Sequence, residues 1–177
     1  VFQTAYRRTF DGGRTKSGGG RAYGAPVLGG AGGTVVTVSD GARDEVPQVV
    51  PTGLSAAQLG GNNVVLDIGG GVYAFYAHLP PGGATVKVGD KVTRGQVIGR
   101  VGNSGNTTEP HLHFPLMRSP APLTGDNVPF EIDAFSFTGS IDLTAKPLRG
   151  FTPGPDAGPR KDQLPLEASV VDFPAAP

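Results

Sequence analysis

Glycine or proline breaks this chain so often that no helix of any length fits between the breaks. Together they supply 29 and 17 of the 177 residues. Glycine loses the most backbone entropy in a helix, and proline lacks the N–H a helix needs. Between the breaks lie short runs rich in valine and other apolar residues, the composition of strands on a pleated, half-buried surface. The chain is therefore expected to be all-β, with antiparallel sheets joined by glycine-rich hairpins.

Strands are expected over 23–28, 33–40, 63–68 and 72–79, the last two joined by Gly69-Gly70-Gly71 as a hairpin. Short strands alternate with Gly-Asp and Arg-Gly corners over 85–102, and His111–Met117 reads as another strand. Phe130-Glu131-Ile132 and Phe135-Ser136-Phe137 supply a further one. Residues 41–60 read as a surface loop with at most one helical turn, at Ala56-Ala57-Gln58-Leu59. At the start, Val1–Tyr6 reads as a strand, Asp11-Gly12-Gly13-Arg14 as a turn and Ser17-Gly18-Gly19-Gly20 as a flexible loop. From Pro147 on, proline, glycine and charge dominate. The expected organisation is one β domain over 1–146 and a poorly ordered Pro/Gly-rich tail over 147–177.

Charge and composition narrow the function. Fifteen basic and fifteen acidic residues cancel, so no basic field invites nucleic acid or anionic lipid. The absence of cysteine removes disulfides, thiolate ligands and a cysteine nucleophile. No window is long and apolar enough for a membrane-spanning helix. No signal segment opens the chain, which starts at Val1.

The chemistry concentrates at histidine. All three histidines lie in two short segments, Tyr76-Ala77-His78-Leu79 and Pro110-His111-Leu112-His113-Phe114. In a strand, residues i and i+2 share a face, so His111 and His113 are expected to project together. His78 joins them if its strand lies alongside. Three imidazoles suit a zinc ion. They equally suit one ligand and two groups that hold water or stabilise an oxyanion. The plainer reading is that an H-x-H pair in a strand is an ordinary surface or core pair. Asp67, Asp90 and Asp133 read as turn or strand-edge carboxylates, and Tyr73, Phe75 and Phe114 as core.

Beyond these pairs, the order and spacing of several segments resemble a known family. They are Tyr23-Gly24-Ala25-Pro26-Val27, Gly33-Thr34-Val35-Val36, Tyr76-Ala77-His78-Leu79, 86–92, Gly95-Gln96-Val97-Ile98-Gly99, Gly102-Asn103-Ser104-Gly105-Asn106 and Pro110-His111-Leu112-His113-Phe114. Over residues 23–139 the chain resembles the lysostaphin or LytM-type zinc endopeptidase domain of bacterial cell-wall hydrolases. The resemblance implies the duplicated hybrid motif, a barrel-sandwich arrangement of antiparallel sheets. It implies Zn2+ as cofactor, peptides of peptidoglycan as substrate, and a place outside the cytoplasmic membrane, extracellular or in the cell envelope. By the same resemblance His113 is the metal ligand, while His78 and His111 are catalytic, orienting the attacking water and stabilising the tetrahedral intermediate.

One departure stands out. The family takes two further zinc ligands from an H-x-x-x-D motif near the start of the domain, and no histidine precedes His78. Either Arg7-Arg8-Thr9-Phe10-Asp11 is a degenerate copy, with Asp11 a weak metal candidate, or the motif lies upstream of Val1. The second is the preferred expectation, because Asp11 is followed by a Gly-Gly turn signal. A guanidinium at position 7 gives a cation no lone pair. The chain as given is thus expected to bind zinc weakly or not at all. Its alternative role is that of a catalytically incomplete wall-binding or hydrolase-regulating domain.

Overall fold

The structure, a computed structural model, describes residues 16–121, 126–142, 144 and 151–174. The segment carrying Arg7 and Asp11, with the strand expected at Val1–Tyr6, lies outside them. Among the described residues, those through Val128 form one compact unit and those from Pro129 a second.

The first unit carries β1 (Pro26–Leu28), β2 (Gly33–Ser39), β3 (Asn62–Gly69), β4 (Val72–Leu79), β5 (Lys91–Val92), β6 (Val97–Arg100), β7 (Leu116–Met117) and β8 (Asn127–Val128). Six of these form a sheet in the order β5-β2-β3-β4-β7-β8, and β1 pairs with β6 in a separate two-stranded sheet. Every pairing is antiparallel. The fold is all-β, and its helical content among the described residues is two short 3-10 turns, Ser17–Gly19 and Ala56–Gln58.

The central hairpin follows from sequence. Gly69, Gly70 and Gly71 all take positive φ, which residues with a Cβ avoid, so the chain reverses there between β3 and β4. Both strands are central and covered on both sides, so they read as nearly unbroken apolar runs rather than a simple alternation. Alternation persists in where the side chains go. Val64, Leu66, Ala74 and Tyr76 enter one core with Val27, Val35 and Ile98. Val65, Phe75, Ala77 and Met117 form a second core. Tyr76, with 2 % of its surface exposed, turns its hydroxyl to accept the Gly30 N–H at 2.9 Å.

Two expectations meet a different outcome. The His111–Met117 segment is not one strand. Only Leu116–Met117 is laddered, and His113 makes an isolated bridge to Ala77. Proline is the cause: Pro110 and Pro115 have no N–H to donate. The segment still follows β4, because the Phe75 and Ala77 N–H groups donate to the Pro115 and His113 carbonyls, each at 3.1 Å.

The second difference concerns the tail. The second unit carries β9 (Phe135–Ile141), β10 (Phe151–Arg160) and β11 (Ser169–Asp172), in a sheet ordered β10-β9-β11. Residues expected to be poorly ordered from 147 therefore include two strands, and the unit begins at Pro129 rather than after 146. Pro153, Pro155 and Pro159 disguise β10, but an edge strand tolerates proline. Its register against β9 is irregular between Pro153 and Gly158. Arg160 lies over the Phe137 ring at 5.4 Å and donates to the Asp156 carboxylate at 2.8 Å.

Candidate active site

His78 is placed by a break in the β3–β4 register. Asn63 pairs with Ala77 and Asn62 with Leu79, so His78 is the extra residue of a β-bulge. Its φ is 66°, one of four positive values among the described non-glycine residues. By simple alternation its ring would follow Ala74 and Tyr76 into the larger core. The bulge shifts the parity: Leu79 takes the core position instead, and the His78 ring turns towards His111 and His113. Bulges commonly re-aim a side chain in this way. The backbone polar groups that leave the ladder are satisfied by loops. The His78 N–H donates to the Gly60 carbonyl, and its own carbonyl accepts from the Gly102 N–H, both at 3.0 Å.

Ser104 locks the bulge. Its hydroxyl donates to the Leu79 carbonyl at 2.6 Å and accepts the Asn62 N–H at 2.9 Å. Its carbonyl lies 2.8 Å from His78 Nδ1. A carbonyl only accepts, so Nδ1 carries the proton and Nε2 the lone pair of the neutral ring. Gly61 makes this approach feasible. A Cβ there would lie 2.4 Å from the Ser104 backbone, and its φ is +57°.

His111 is set the same way. Its Nδ1 lies 2.9 Å from the Glu109 carbonyl and 3.3 Å from the Thr107 hydroxyl. Thr107 is itself tied to Asn103 Oδ1 at 3.0 Å. Asn103 is fully buried. Its backbone N–H donates to Asp44 Oδ1 at 2.8 Å, and Tyr23 donates its hydroxyl to Asp44 Oδ2 at 2.6 Å. Burial, reinforced by the Asp44 carboxylate, pushes the Tyr23 phenol up to about 12.

The three imidazoles meet in one pocket. The His78 ring centroid is 4.7 Å from that of His111 and 5.6 Å from that of His113. Each offers a ring nitrogen within 4.8 Å of the others. His113 also stands edge-on to Phe75 at 6.3 Å. Burial depth differs: His78 is buried, His111 half-buried and His113 exposed. Burial pulls the His78 pKa down to about 4, with His111 adding repulsion. It lowers His111 too, and partial burial of the ring lowers His113 although that residue is the exposed member. All three are thereby held neutral near pH 7, the state that accepts a proton or binds a metal. Imidazole nitrogen is a zinc-type donor, so the donor chemistry of the cluster fits a zinc ion.

Sequence reasoning found the three histidines and missed their supports. Asp44 was passed over within a presumed loop, yet it ties Tyr23 to Asn103. Asn62 lies just before the strand expected over 63–68 and was given no role. Its side chain donates to the Ala42 and Leu79 carbonyls and accepts the Ala42 N–H. The signal available was a run of polar residues, Asn62, Asn63, Asn103, Ser104 and Thr107, all buried in the structure. Asp67 and Asp90 behave as turn carboxylates: they accept the N–H of Gly69 and of Lys87.

Comparison with known proteins gives this pocket a context. The chain is 39% identical over 100 residues to glycyl-glycine endopeptidase ALE-1 of Staphylococcus capitis, a match covering 56% of this chain and 25% of that protein. It is 47% identical over 57 residues to peptidoglycan DD-endopeptidase ShyA of Vibrio cholerae serotype O1, covering 32% of this chain and 13% of that protein. It thus spans a quarter or less of these curated relatives. Among solved structures, the catalytic domain of lysostaphin from Staphylococcus simulans is 29% identical, covering 62% of this chain and 77% of that one, with a TM-score of 0.44. The family model for peptidase family M23 matches residues 20–127, which include all three histidines and most of their hydrogen-bond partners. With well over half its length matched by that model, the chain belongs to peptidase family M23.

Proposed function

We infer that this chain is a zinc-dependent endopeptidase acting on peptide bonds of bacterial peptidoglycan, outside the cytoplasmic membrane. The observation that carries the reading is the convergence of His78, His111 and His113 within an M23 domain, with two of the rings fixed in one tautomer. Two relatives are themselves named as endopeptidases, one for glycyl-glycine bonds and one for peptidoglycan.

His113 holds the metal in this reading. Zinc, when bound, supplies Lewis-acid polarisation of the scissile carbonyl and lowers the pKa of water. The remaining work falls to the chain's own groups. Neutral His78 and His111, each with its Nδ1–H on a carbonyl, present Nε2 as a proton acceptor. Either ring accepts the proton of the attacking water, then returns it to the leaving amine. The protonated ring also stabilises the oxyanion that develops at the carbonyl. The Ser104 and Glu109 carbonyls hold both rings in the tautomer this needs.

A second reading, a wall-binding or regulatory domain that does not cut, draws support from one observation: among the described residues no carboxylate joins the histidine cluster. The test is to incubate the zinc-loaded chain with purified muropeptides and follow the products by mass spectrometry. Hydrolysis adds one water per bond cut and identifies the bond. Intact muropeptides that co-elute with the chain identify the binding role instead.

A further inference from the structure

His78 and His111 are held by separate supports, and the support behind His111 includes a buried side-chain pair. We propose that Thr107, aimed by the carboxamide of Asn103, is a positioning residue for His111, holding its ring and tautomer for proton transfer. The proposal rests on the peptidase reading for what His111 does, and on geometry for what holds it.

Hydrogen-bond polarity carries the argument. Asn103 Nδ2 donates to the Glu45 carbonyl at 2.9 Å, which leaves Oδ1 facing the Thr107 hydroxyl at 3.0 Å. An amide oxygen only accepts, and so does the Glu109 carbonyl, 2.9 Å from the same hydroxyl. The single hydroxyl proton is thus drawn to these two oxygens. What Thr107 turns towards His111 Nδ1, at 3.3 Å, is a lone pair. It offers the other to the Glu109 N–H, also at 3.3 Å. His111 Nδ1 therefore faces two accepting oxygens, those of Glu109 and Thr107. The opposite tautomer would set a ring lone pair against both.

Asn103 is fully buried and Thr107 is 3% exposed, so loss of the hydroxyl leaves buried groups short of a partner rather than solvated. The backbone around Thr107 is held independently. The Asn106 N–H donates to the Leu59 carbonyl at 2.8 Å, and the Gln48 N–H to the Thr108 carbonyl at 2.7 Å. Removing the hydroxyl is therefore expected to free the ring without unfolding the loop. His78 supplies the contrast. Its Nδ1 donates to the Ser104 carbonyl, and Ser104 is tied by its hydroxyl to Asn62 and Leu79. None of these contacts passes through Thr107.

The test is nitrogen NMR of the imidazoles in the metal-free full chain, comparing the parent with Thr107→Val and Thr107→Ser. In the valine variant the His111 nitrogens are expected to move towards the average of the two tautomers while those of His78 stay in place. Serine is expected to restore the parent shifts. In zinc-loaded chains, hydrolysis of purified muropeptides is expected to show kcat lowered about 10-fold or more by valine at unchanged KM, and restored by serine. Should the valine variant not fold, Thr107→Ala removes the same hydroxyl with less bulk and takes its place. Parent-like His111 shifts in a folded variant without the hydroxyl, or equal movement of both rings, overturn the proposal. A zinc-loaded parent that leaves muropeptides intact overturns the peptidase reading, and the ring shifts still decide whether Thr107 positions His111.

Discussion

His78 holds a backbone conformation that costs a non-glycine residue about 1–2 kcal/mol, and its neighbours account for its persistence. Its N–H and C=O are bonded to Gly60 and Gly102, and its ring is bonded to the Ser104 carbonyl. One consequence is a pH dependence. The ring titrates at about 4 in the folded chain against 6.5 when unfolded. The unfolded state therefore binds more protons in between, so His78's contribution is complete above about pH 6.5 and is lost as pH falls towards about 4. For the metal-free chain the loss is about 3 kcal/mol. Urea unfolding at pH 7 and pH 4.5 measures it, and equal His78-dependent stability at both pH values would contradict the assignment. A second consequence concerns Gly61. Gly61→Ala places a methyl against the Ser104 backbone at positive φ. It is expected to cost at least about 2 kcal/mol and to release the His78 tautomer, which nitrogen chemical shifts report. A variant of wild-type stability with unchanged shifts would show that the close approach is unimportant.

At the scale of elements, the bulged end of β4 is stitched to the loop at Ala42 and the loop at Ser104 by Asn62. Its buried side chain makes three hydrogen bonds, the one to Leu79 buried and the two to Ala42 partly buried. Asn62→Ala leaves the partners of those bonds unsatisfied, an expected loss of about 2–4 kcal/mol in denaturant unfolding; a change under about 0.5 kcal/mol would mean that water replaces the carboxamide without penalty. The elements themselves were largely legible. Valine-rich runs between glycines gave β2, β3 and β4 within a residue or two. Periodicity could not show the bulge, because His78 breaks the alternation by conformation rather than by residue type. Nor could it show that Pro115 cuts the ladder between His113 and Leu116. The strands of the second unit were hidden for the opposite reason. Prolines that mark a loop in most settings sit on the edge strand β10, where no neighbour requires their N–H.

For the whole molecule, the all-β class followed from glycine, proline and valine alone, and the three-histidine pocket followed from a strand argument that was only half right. His111 and His113 do meet, but through a proline-flanked segment bridged to β4 at one residue rather than a regular strand. What remained out of reach were long-range partners such as Tyr23, Asp44 and Asn103, which are 21 and 59 positions apart along the chain and touch only after folding. In the proposed peptidase reading, the chemistry lies at the cluster of His78, His111 and His113. Its activity is most directly tested by the release of new amino groups from purified peptidoglycan by the zinc-loaded chain and by its His113→Ala variant. The account predicts steady release by the parent and a fall of about 100-fold or more in the variant. Equal release by both, or none from a parent carrying its zinc, would contradict it.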